Sequence, residues 1–456
     1  MQGSIITSGL LNGMKKLWGR AAFFRLALLV LVFAQEMNVG WAAERRSWRY
    51  VNELSQEELQ KLDLRSETPR DATFPYLPAE RYPYAAPYTA EEMGLLSTEF
   101  AHMPRRNCAL IEDYGTISAN GYLTTAQAIG LVSYREPAGL LGQLQTKPGE
   151  WYTQWLFQTI APAERYGRQS LYTLYRTDQT FNTRLDLFIY SPELRRVRRQ
   201  PQPRRQDKAP GFASGYENFL NRDAWEFRWR VLGTDVLFET VRFPRTRTSI
   251  TLTTADGALV ESAPQALKMM GSSYPAYTPE GGVSCYVVEA RTREEWIPNY
   301  YAPKILYWLD QHTFFPLRIE EYNTNGMLTY VEDRTAHMVN PDVGDKGYEA
   351  QIFLSWDIPQ DIMSYDVHDA YRPRSWSVAD QQVFFSPDFL RRVWFVAPLK
   401  SQATVPNPDT FFLRPALYRE KFPQERQIVL SPQLEARIRA QEAAGQLVFE
   451  ENQRSR

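Results

Sequence analysis

The sequence has few of the residues that bind transition metals or carry out redox chemistry. Its 456 residues include two cysteines and four histidines, which are His102, His312, His337 and His368. CxxC pairs, HExxH helices, GxSxG turns and glycine-rich phosphate loops are all absent. The formal net charge of −1 gives no basic surface field for nucleic acid. We therefore predict no metal, no cofactor, no catalytic residues and no nucleic-acid partner.

Long hydrophobic runs are also lacking, except near the amino terminus. Basic residues between positions 15 and 25 precede the apolar run 26–34, and Gly40 and Ala42 supply the small residues that a signal peptidase reads. This run is much shorter than the roughly 20 residues of a membrane-spanning helix. We predict a signal peptide over 1–42 and a periplasmic mature protein, either free or associated with the outer membrane; an uncleaved anchor is the alternative.

Cys108 and Cys285 lie far apart in the chain. In an oxidising periplasm such a pair can form a disulfide. The alternative is two buried free thiols, and the sequence alone leaves both open.

The mature chain divides into three segments by composition. Residues 43–150 are a Pro/Tyr-rich N-terminal extension that wraps the body or reaches a partner. Helices are predicted to begin near Thr89 and near Leu123, where Thr124 or Thr125 is the cap. Residues 151–340 form the β-domain, and residues 341–456 are a C-terminal extension that ends in a helix capped by Ser431.

Alternating apolar and polar residues predict strands throughout 151–340. One strand runs over 185–191, and a hairpin turns at Asp256-Gly257. The sequence 304–331 contains three strands joined by short polar turns, which is typical of an antiparallel meander. His312 falls in the first of these turns and is expected at the surface. One further strand is predicted at 393–396.

The acidic stretch 357–369 (DIPQDIMSYDVHD) contains the best local cluster for a hard cation or for acid–base chemistry. His368 lies there among Asp361, Asp366 and Asp369. A solvated acidic loop is the alternative that we favour from the sequence.

Three stretches resemble the exported proteins of the domain-of-unknown-function (DUF) family 1329, which are themselves similar to the periplasmic lipoprotein carriers LolA and LolB. They are 186–199 (DLFIYSPELRRVRR), 219–233 (FLNRDAWEFRWRVLG) and the meander region 285–330. The resemblance implies a mainly β (α+β) fold. Its large curved antiparallel sheet would be a half-barrel, lipoprotein-carrier-like and covered by helices, with irregular N- and C-terminal extensions. It also implies an apolar concave face that receives a lipid or acyl chain, and no catalytic residues.

Two groups of residues are candidates for binding. Arginine forks bind phosphate and carboxylate, so an arginine cluster would recognise anionic headgroups or an acidic partner, with a solvated strand end as the alternative. An aromatic stripe would line a hydrophobic cavity, with a filled core as the alternative. The cluster consists of Arg195, Arg196, Arg198 and Arg199, and the ligand-binding candidates are Trp225, Phe227, Trp229 and Tyr307.

These features predict a non-enzymatic carrier for a hydrophobic ligand such as a lipid, an acyl chain or a lipoprotein, in peripheral contact with a membrane or accessory to an export system. The first alternative is an envelope scaffold that docks to an outer-membrane or exporter protein through the Pro/Tyr-rich extension. The second alternative is an envelope hydrolase.

Overall fold

The structure is a computed structural model that describes residues 48–395 apart from 66–67, 102–106, 118–122, 136–144, 210–211, 221, 238–249, 254–258, 263–273, 280–281 and 339–347. It also describes residues 402–405, 426–429, 440 and 447–449. The predicted signal peptide, the Asp256-Gly257 turn and, apart from residue 440, the helix after Ser431 lie outside these residues.

Fourteen strands form one open antiparallel sheet. In chain order they are β1 Arg49–Tyr50, β4 Cys108–Ile117, β5 Leu123–Tyr134, β6 Trp151–Ala161, β7 Gln169–Tyr175, β8 Leu185–Ser191, β9 Arg196–Gln200, β10 Phe227–Leu237, β13 Val283–Thr292, β14 Lys304–Asp310, β15 Pro316–Tyr322, β16 Leu328–Met338, β17 Tyr348–Asp357 and β18 Ile362–Pro373. Their spatial order is β1-β10-β13-β14-β15-β16-β17-β18-β4-β5-β6-β7-β8-β9. The fold is therefore mainly β, and β1 and β9 are the two edges.

Short elements complete the described part of the chain. Four two-stranded ribbons pair β2 Leu62–Asp63 with β3 Tyr88–Thr89, β11 Ile250–Thr253 with β12 Leu259–Ser262, β19 Val393–Phe395 with β22 Leu447–Phe449, and β20 Gln402–Val405 with β21 Arg426–Val429. The helices are α1 Gln56–Leu59, α2 Ala90–Leu95, α3 Tyr216–Leu220 and α4 Val378–Phe384. Single turns of 3₁₀-helix lie at Val51–Glu53, Ala163–Arg165, Ala224–Glu226 and Phe389–Arg391, and a π-turn at Leu96–Ala101.

Several sequence predictions are confirmed. The meander is β14, β15 and β16, each antiparallel to the next. The strand over 185–191 is β8, the pair 250–262 is the antiparallel ribbon β11–β12, and a strand begins at Val393. Helix α2 starts where predicted, because the Thr89 hydroxyl accepts from the Glu92 amide at 3.2 Å and the Glu92 carboxylate accepts from the Thr89 amide at 2.8 Å. His312 is exposed.

The helix predicted from Leu123 is wrong, because that segment is strand β5. Its residues are buried on both faces from Ala126 to Tyr134, which hides the alternation that marks a half-buried strand. The boundaries of the β-domain also need correction. Strands β4 and β5 come from the predicted N-terminal extension, and β17 and β18 come from the predicted C-terminal extension, yet all four join the central sheet.

The acidic loop predicted over 357–369 is wrong as well. Asp357 ends β17, and Ile362–Pro373 is strand β18 in the middle of the sheet. Asp366 and His368 are buried there. The segment is polar because one face of the strand carries charged side chains into an interior site, not because it faces solvent.

The sheet register defines two faces. Trp229, Tyr307, Glu332 and Trp155 lie on what we call the inner face, and their neighbours along each strand lie on the outer face. A core covers the inner face over β10, β13, β14 and β15, and includes residues of the Pro/Tyr-rich extension: Leu54, Leu62, Tyr76, Leu77, Tyr84, Met93 and Leu95. This extension is therefore part of the fold.

A second core covers the outer face over β4, β5, β6 and β7. Sheet residues such as Ile111, Ile129 and Leu156 pack there against the chain that follows β18. That chain contributes Trp376, Phe384, Phe385, Phe389, Leu390 and Trp394. Between them, the two cores leave the inner face of β4–β8 and β16–β18 to be covered by another segment.

Candidate functional site

A cavity of about 250 Å³ lies on the inner face of the sheet, between strands β4–β8 and β16–β18 and the segment 212–220, which we call the cover segment. Its apolar wall is largely aromatic. The residues of that wall are Tyr114, Ala128, Trp155, Phe157, Tyr172, Ile189, Ala209, Phe212 and Phe219. Arg165 and Arg168 also line the cavity and are exposed, so guanidinium groups stand where the cavity meets solvent.

Aromatic stacking holds the cover segment against the sheet. The ring of Phe212 stacks on Tyr114 with centroids 4.8 Å apart and planes 16° from parallel. Phe219 packs against Tyr172 and Trp155, each with centroids 6.2 Å apart. The amide of Ala213 donates to the Ser364 hydroxyl at 3.0 Å. The contacts of Phe212 and Ala213, before helix α3, are apolar or neutral, so no described ion pair of these two residues has to break for them to move.

Helix α3, at the end of the cover segment, is instead fixed by buried charge. Arg222 donates to Glu321, and to the hydroxyls of Tyr300 and Tyr301 at 2.8 and 2.9 Å. The side-chain amide of Asn218 also donates to Glu321. Burying ionic groups is tolerated only when they are paired in this way. Helix α3, which carries Phe219, is thus anchored, and Phe212 is the cavity-wall aromatic that lies before it.

The opposite end of the cavity is polar. Asp366 and His368 are two residues apart on β18 and point to the same face, and Glu112 on β4 lies directly opposite His368 in the register. All three side chains are buried, and His368 Nε2 lies 3.1 Å from Asp366 Oδ2. One donor atom from each of the three residues lies within 4.8 Å of the others.

Burial perturbs the protonation of this cluster. Desolvation, and then the neighbouring Asp366 carboxyl, raises the pKa of Glu112 well above its ordinary value. Desolvation also raises the pKa of Asp366 well above normal, and it lowers the pKa of His368 to about 4. The imidazole is therefore neutral at pH 7, while the two carboxyl groups keep protons to higher pH than exposed acids do.

Arg334 lies beside this cluster, but other groups occupy its guanidinium. Its Nε donates to Glu332, and Nη2 donates to the backbone oxygen of Asn218 at 3.0 Å. The guanidinium carbon also sits 4.7 Å from the centroid of the Phe353 ring. The Arg334 charge is thus matched by Glu332 and acts on Asp366 only through space.

The four aromatic candidates do not line this cavity. Phe227, Trp229 and Tyr307 are buried in the inner-face core over β10–β15, with the Trp229 and Tyr307 rings 5.4 Å apart. Trp225 belongs to the same core but lies in the 3₁₀ turn before β10, so the predicted strand stripe begins only at Phe227. Trp229 packs tightly against α2, since a Cβ on Gly94 would come within 2.4 Å of its ring. The structure thus places the four residues in this core and not at the inner-face cavity.

The predicted arginine cluster lies at the sheet edge. Arg195 occupies the turn before β9 with φ of 48°, and Arg196, Arg198 and Arg199 are exposed on that strand. Arg199 pairs with Asp186. Arg198 stands opposite Ile189, a cavity-lining residue, so it shares the inner face with the cavity. Positive side chains also protect an edge strand from pairing with another chain.

The disulfide alternative is not realised: Cys108 and Cys285 are both free and buried. Cys108 lies on β4 and Cys285 on β13, with five strands between them in the sheet order. By register the two side chains also point to opposite faces. A bond between them would need Cα atoms within about 7 Å, which five intervening strands exclude. Burial raises the pKa of the Cys285 thiol well above its ordinary value.

Sequence reasoning missed most of the cavity. Tyr114, Phe157, Tyr172 and Phe219 were not singled out, because an aromatic residue on a strand gives no sign of whether it faces a filled core or a cavity. Glu112 had no local signal either, since its partners lie on a strand distant in the chain. The Asp-Val-His spacing at 366–368 was the one usable signal, because on a strand it places both side chains on one face.

None of the described helices is long and apolar enough to span a bilayer. A search of curated protein sequences finds no match to this chain. Among solved structures, a DUF1329 family protein from Desulfovibrio piger is 12% identical, with a TM-score of 0.43, over 66% of this chain and 95% of that chain.

Two further crystal structures have similar overlap. A putative outer membrane lipoprotein-sorting protein domain from Vibrio parahaemolyticus is 14% identical over 66% of this chain and 97% of that chain, with a TM-score of 0.41. The LolA superfamily protein NE2245 from Nitrosomonas europaea is 12% identical over 66% and 99%, with a TM-score of 0.38. Residues 111–391, which include most of β4, all of β5–β18 and the whole cavity, match the family described as protein of unknown function (DUF1329), and the chain belongs to that family.

Proposed function

We propose that this protein is a periplasmic, non-enzymatic carrier or binding protein that holds a hydrophobic molecule in the inner-face cavity. The observation that carries the proposal is the aromatic wall formed by Tyr114, Phe157, Tyr172 and Phe219 around about 250 Å³ of space. Cavities of this kind, apolar with a few polar groups, are the usual form of small-molecule sites. The signal peptide predicted from the sequence supports a periplasmic location.

The cavity volume limits the ligand. An apolar cavity of roughly 150 Å³ binds benzene, so 250 Å³ suits one short acyl chain or a small ring system. A larger lipid would require the aromatic part of the cover segment to move. The exposed Arg165 and Arg168 would then face an anionic headgroup at the solvent end, where an arginine fork binds carboxylate or phosphate.

The first experiment is native mass spectrometry of the periplasmic protein, followed by extraction and identification of any bound lipid. A displacement assay with saturated fatty acids of increasing length then measures affinity. Because each buried CH₂ contributes about 0.8 kcal/mol, affinity should rise about fourfold per CH₂ until the cavity is full, and then level off. The proposal would be contradicted if the native mass shows no bound molecule and the affinity for fatty acids does not depend on chain length.

Two variants make the assay specific for the cavity. Phe157→Ala removes a half-buried aromatic side chain from the cavity wall. In this variant the affinity should keep rising to longer fatty acids before it levels off. Phe188→Ala removes a half-buried Phe from the outer face and is the matched control, with no change in chain-length preference. Arg168→Glu should weaken the binding of fatty acids more than the binding of fatty alcohols of the same length, because only the acids have a negative charge that can pair with Arg168.

An envelope hydrolase is the second candidate, and the buried pair of His368 and Asp366 beside Glu112 favours it. A histidine oriented by a carboxylate is the usual arrangement of a general base. Turnover of ester substrates by the wild-type protein that disappears in His368→Gln would support this activity. Turnover that persists in His368→Gln would belong to a contaminant or to another site.

A further inference from the structure

The polar end of the cavity has the geometry of a metal-ligand set. Two residues separated by one position on a strand, together with the residue opposite on the next strand, project their side chains from one face at close spacing. Asp366 and His368 on β18 and Glu112 on β4 stand in this relation. They offer one imidazole nitrogen and two carboxylate oxygens within 4.8 Å of one another.

The separation of one donor pair already matches joint coordination. Bonds from Zn²⁺ to nitrogen and to oxygen are about 2.1 Å, which places neighbouring donors about 3.0 Å apart at a right angle and about 3.4 Å apart at a tetrahedral angle. His368 Nε2 and Asp366 Oδ2 are 3.1 Å apart. Glu112 would have to approach by rotation of its flexible side chain alone, because its strand is already paired with β18.

The cluster also contains an unused acceptor. Asp366 is buried, and its Oδ1 is shielded from solvent and makes no hydrogen bond of ordinary length and angle within the described ranges. Because Arg334 is matched by Glu332, no described cation pairs directly with Glu112 or Asp366. Proteins compensate buried carboxyl groups without cationic partners either by a retained proton or by a bound metal ion, and a metal ion at this site would take the place of the protons.

We propose that Glu112, Asp366 and His368 bind one divalent transition-metal ion of the Zn²⁺ type. The mixed set of one imidazole and two carboxylates selects such an ion over Ca²⁺ and Mg²⁺, which prefer oxygen ligands only. Three protein ligands leave a fourth position open, and that position faces the cavity. The proposal does not depend on the carrier function, since the site is complete without a cavity ligand.

The test is isothermal titration of ZnCl₂ into chelator-treated, tag-free full-length protein, accompanied by the visible absorption spectrum with Co²⁺. We expect one high-affinity site in the wild-type protein. Glu112→Gln, Asp366→Asn and His368→Gln should each weaken Zn²⁺ binding by at least about 100-fold, because losing an outer-shell partner of a ligand already costs about 10–100-fold. They should also change the Co²⁺ spectrum.

Two control variants separate this site from surface binding. His312→Gln removes an exposed histidine, and Asp333→Asn removes a buried outer-face carboxylate. Both should keep wild-type Zn²⁺ affinity. The proposal is overturned if the wild-type protein binds no stoichiometric Zn²⁺, or if all three ligand variants bind it as tightly as the wild type. If a ligand variant does not fold, the wild-type stoichiometry and its Co²⁺ spectrum decide the matter, since unbound aqueous Co²⁺ has a different spectrum.

Discussion

Asp333 on the outer face of β16 provides the sharpest test of the electrostatics of the sheet. Its side chain is buried, and it meets Arg318 through one oxygen, with Nη1 3.4 Å from Oδ1. Its other oxygen, Oδ2, is buried and has no hydrogen-bond partner within the described part of the chain. Burial outweighs the attraction of Arg318 and raises the pKa of Asp333 from 3.8 to about 6.

The sign of the pH effect follows from proton binding. Below pH 4 both the folded and the unfolded states hold the proton, so Asp333 contributes no pH dependence. Between pH 4 and 6 the unfolded state loses its proton while the folded state keeps it, so the free energy of unfolding falls as pH rises. Two pH units at about 1.36 kcal/mol each amount to about 3 kcal/mol, and the contribution is constant above pH 6.

Asp333→Asn removes this contribution while keeping the size of the side chain. Relative to the wild type, the variant should gain about 3 kcal/mol of stability between pH 4 and pH 7. Urea unfolding of both proteins at pH 4, 5, 6, 7 and 8 measures the difference, and near-equal stability at pH 4 is the internal control. A difference that is constant with pH, or that favours the wild type as pH rises, would refute the reasoning.

Two further predictions concern buried groups. Arg176→Met should lower the free energy of unfolding, measured by urea denaturation, by about 3–5 kcal/mol. The substitution leaves Glu99 and Asp223 buried without the guanidinium group that lies 2.7 and 3.3 Å from them. A loss below about 1 kcal/mol would mean that solvent reaches these carboxylates. Cys108 and Cys285 should react with a thiol reagent only after denaturation, giving two modified thiols without prior reduction, and a protein that is modified only after reduction would contain the disulfide instead.

Each strand that sequence reasoning located correctly has one of two local signals. Either its burial alternates along the strand, or it is joined to its neighbours by short polar turns. β8 alternates buried and half-exposed residues in its first half, and β14–β16 are joined by turns rich in Asp, Asn, Thr and Gly. Helix α2 was located from its capping box, a signal that acts over four residues. Each of these signals is local, and local structure is what a single sequence encodes directly.

Strand β5 was not recognised, because both of its faces are buried and apolar and polar residues do not alternate along it. Strand β18 was not recognised, because the polar residues that alternate with its apolar ones lie in an acidic stretch and were read as facing solvent, although they are buried. The sequence by itself determined that the chain is strand-rich, that it builds an antiparallel meander, and where its aromatic and basic residues lie. Only the tertiary structure decided which aromatic residues border a cavity, because that depends on where the N-terminal extension and the cover segment pack on the inner face. It alone brought Glu112 beside Asp366 and His368, since pairing between β4 and β18 is a long-range contact with no trace in the local pattern of either strand.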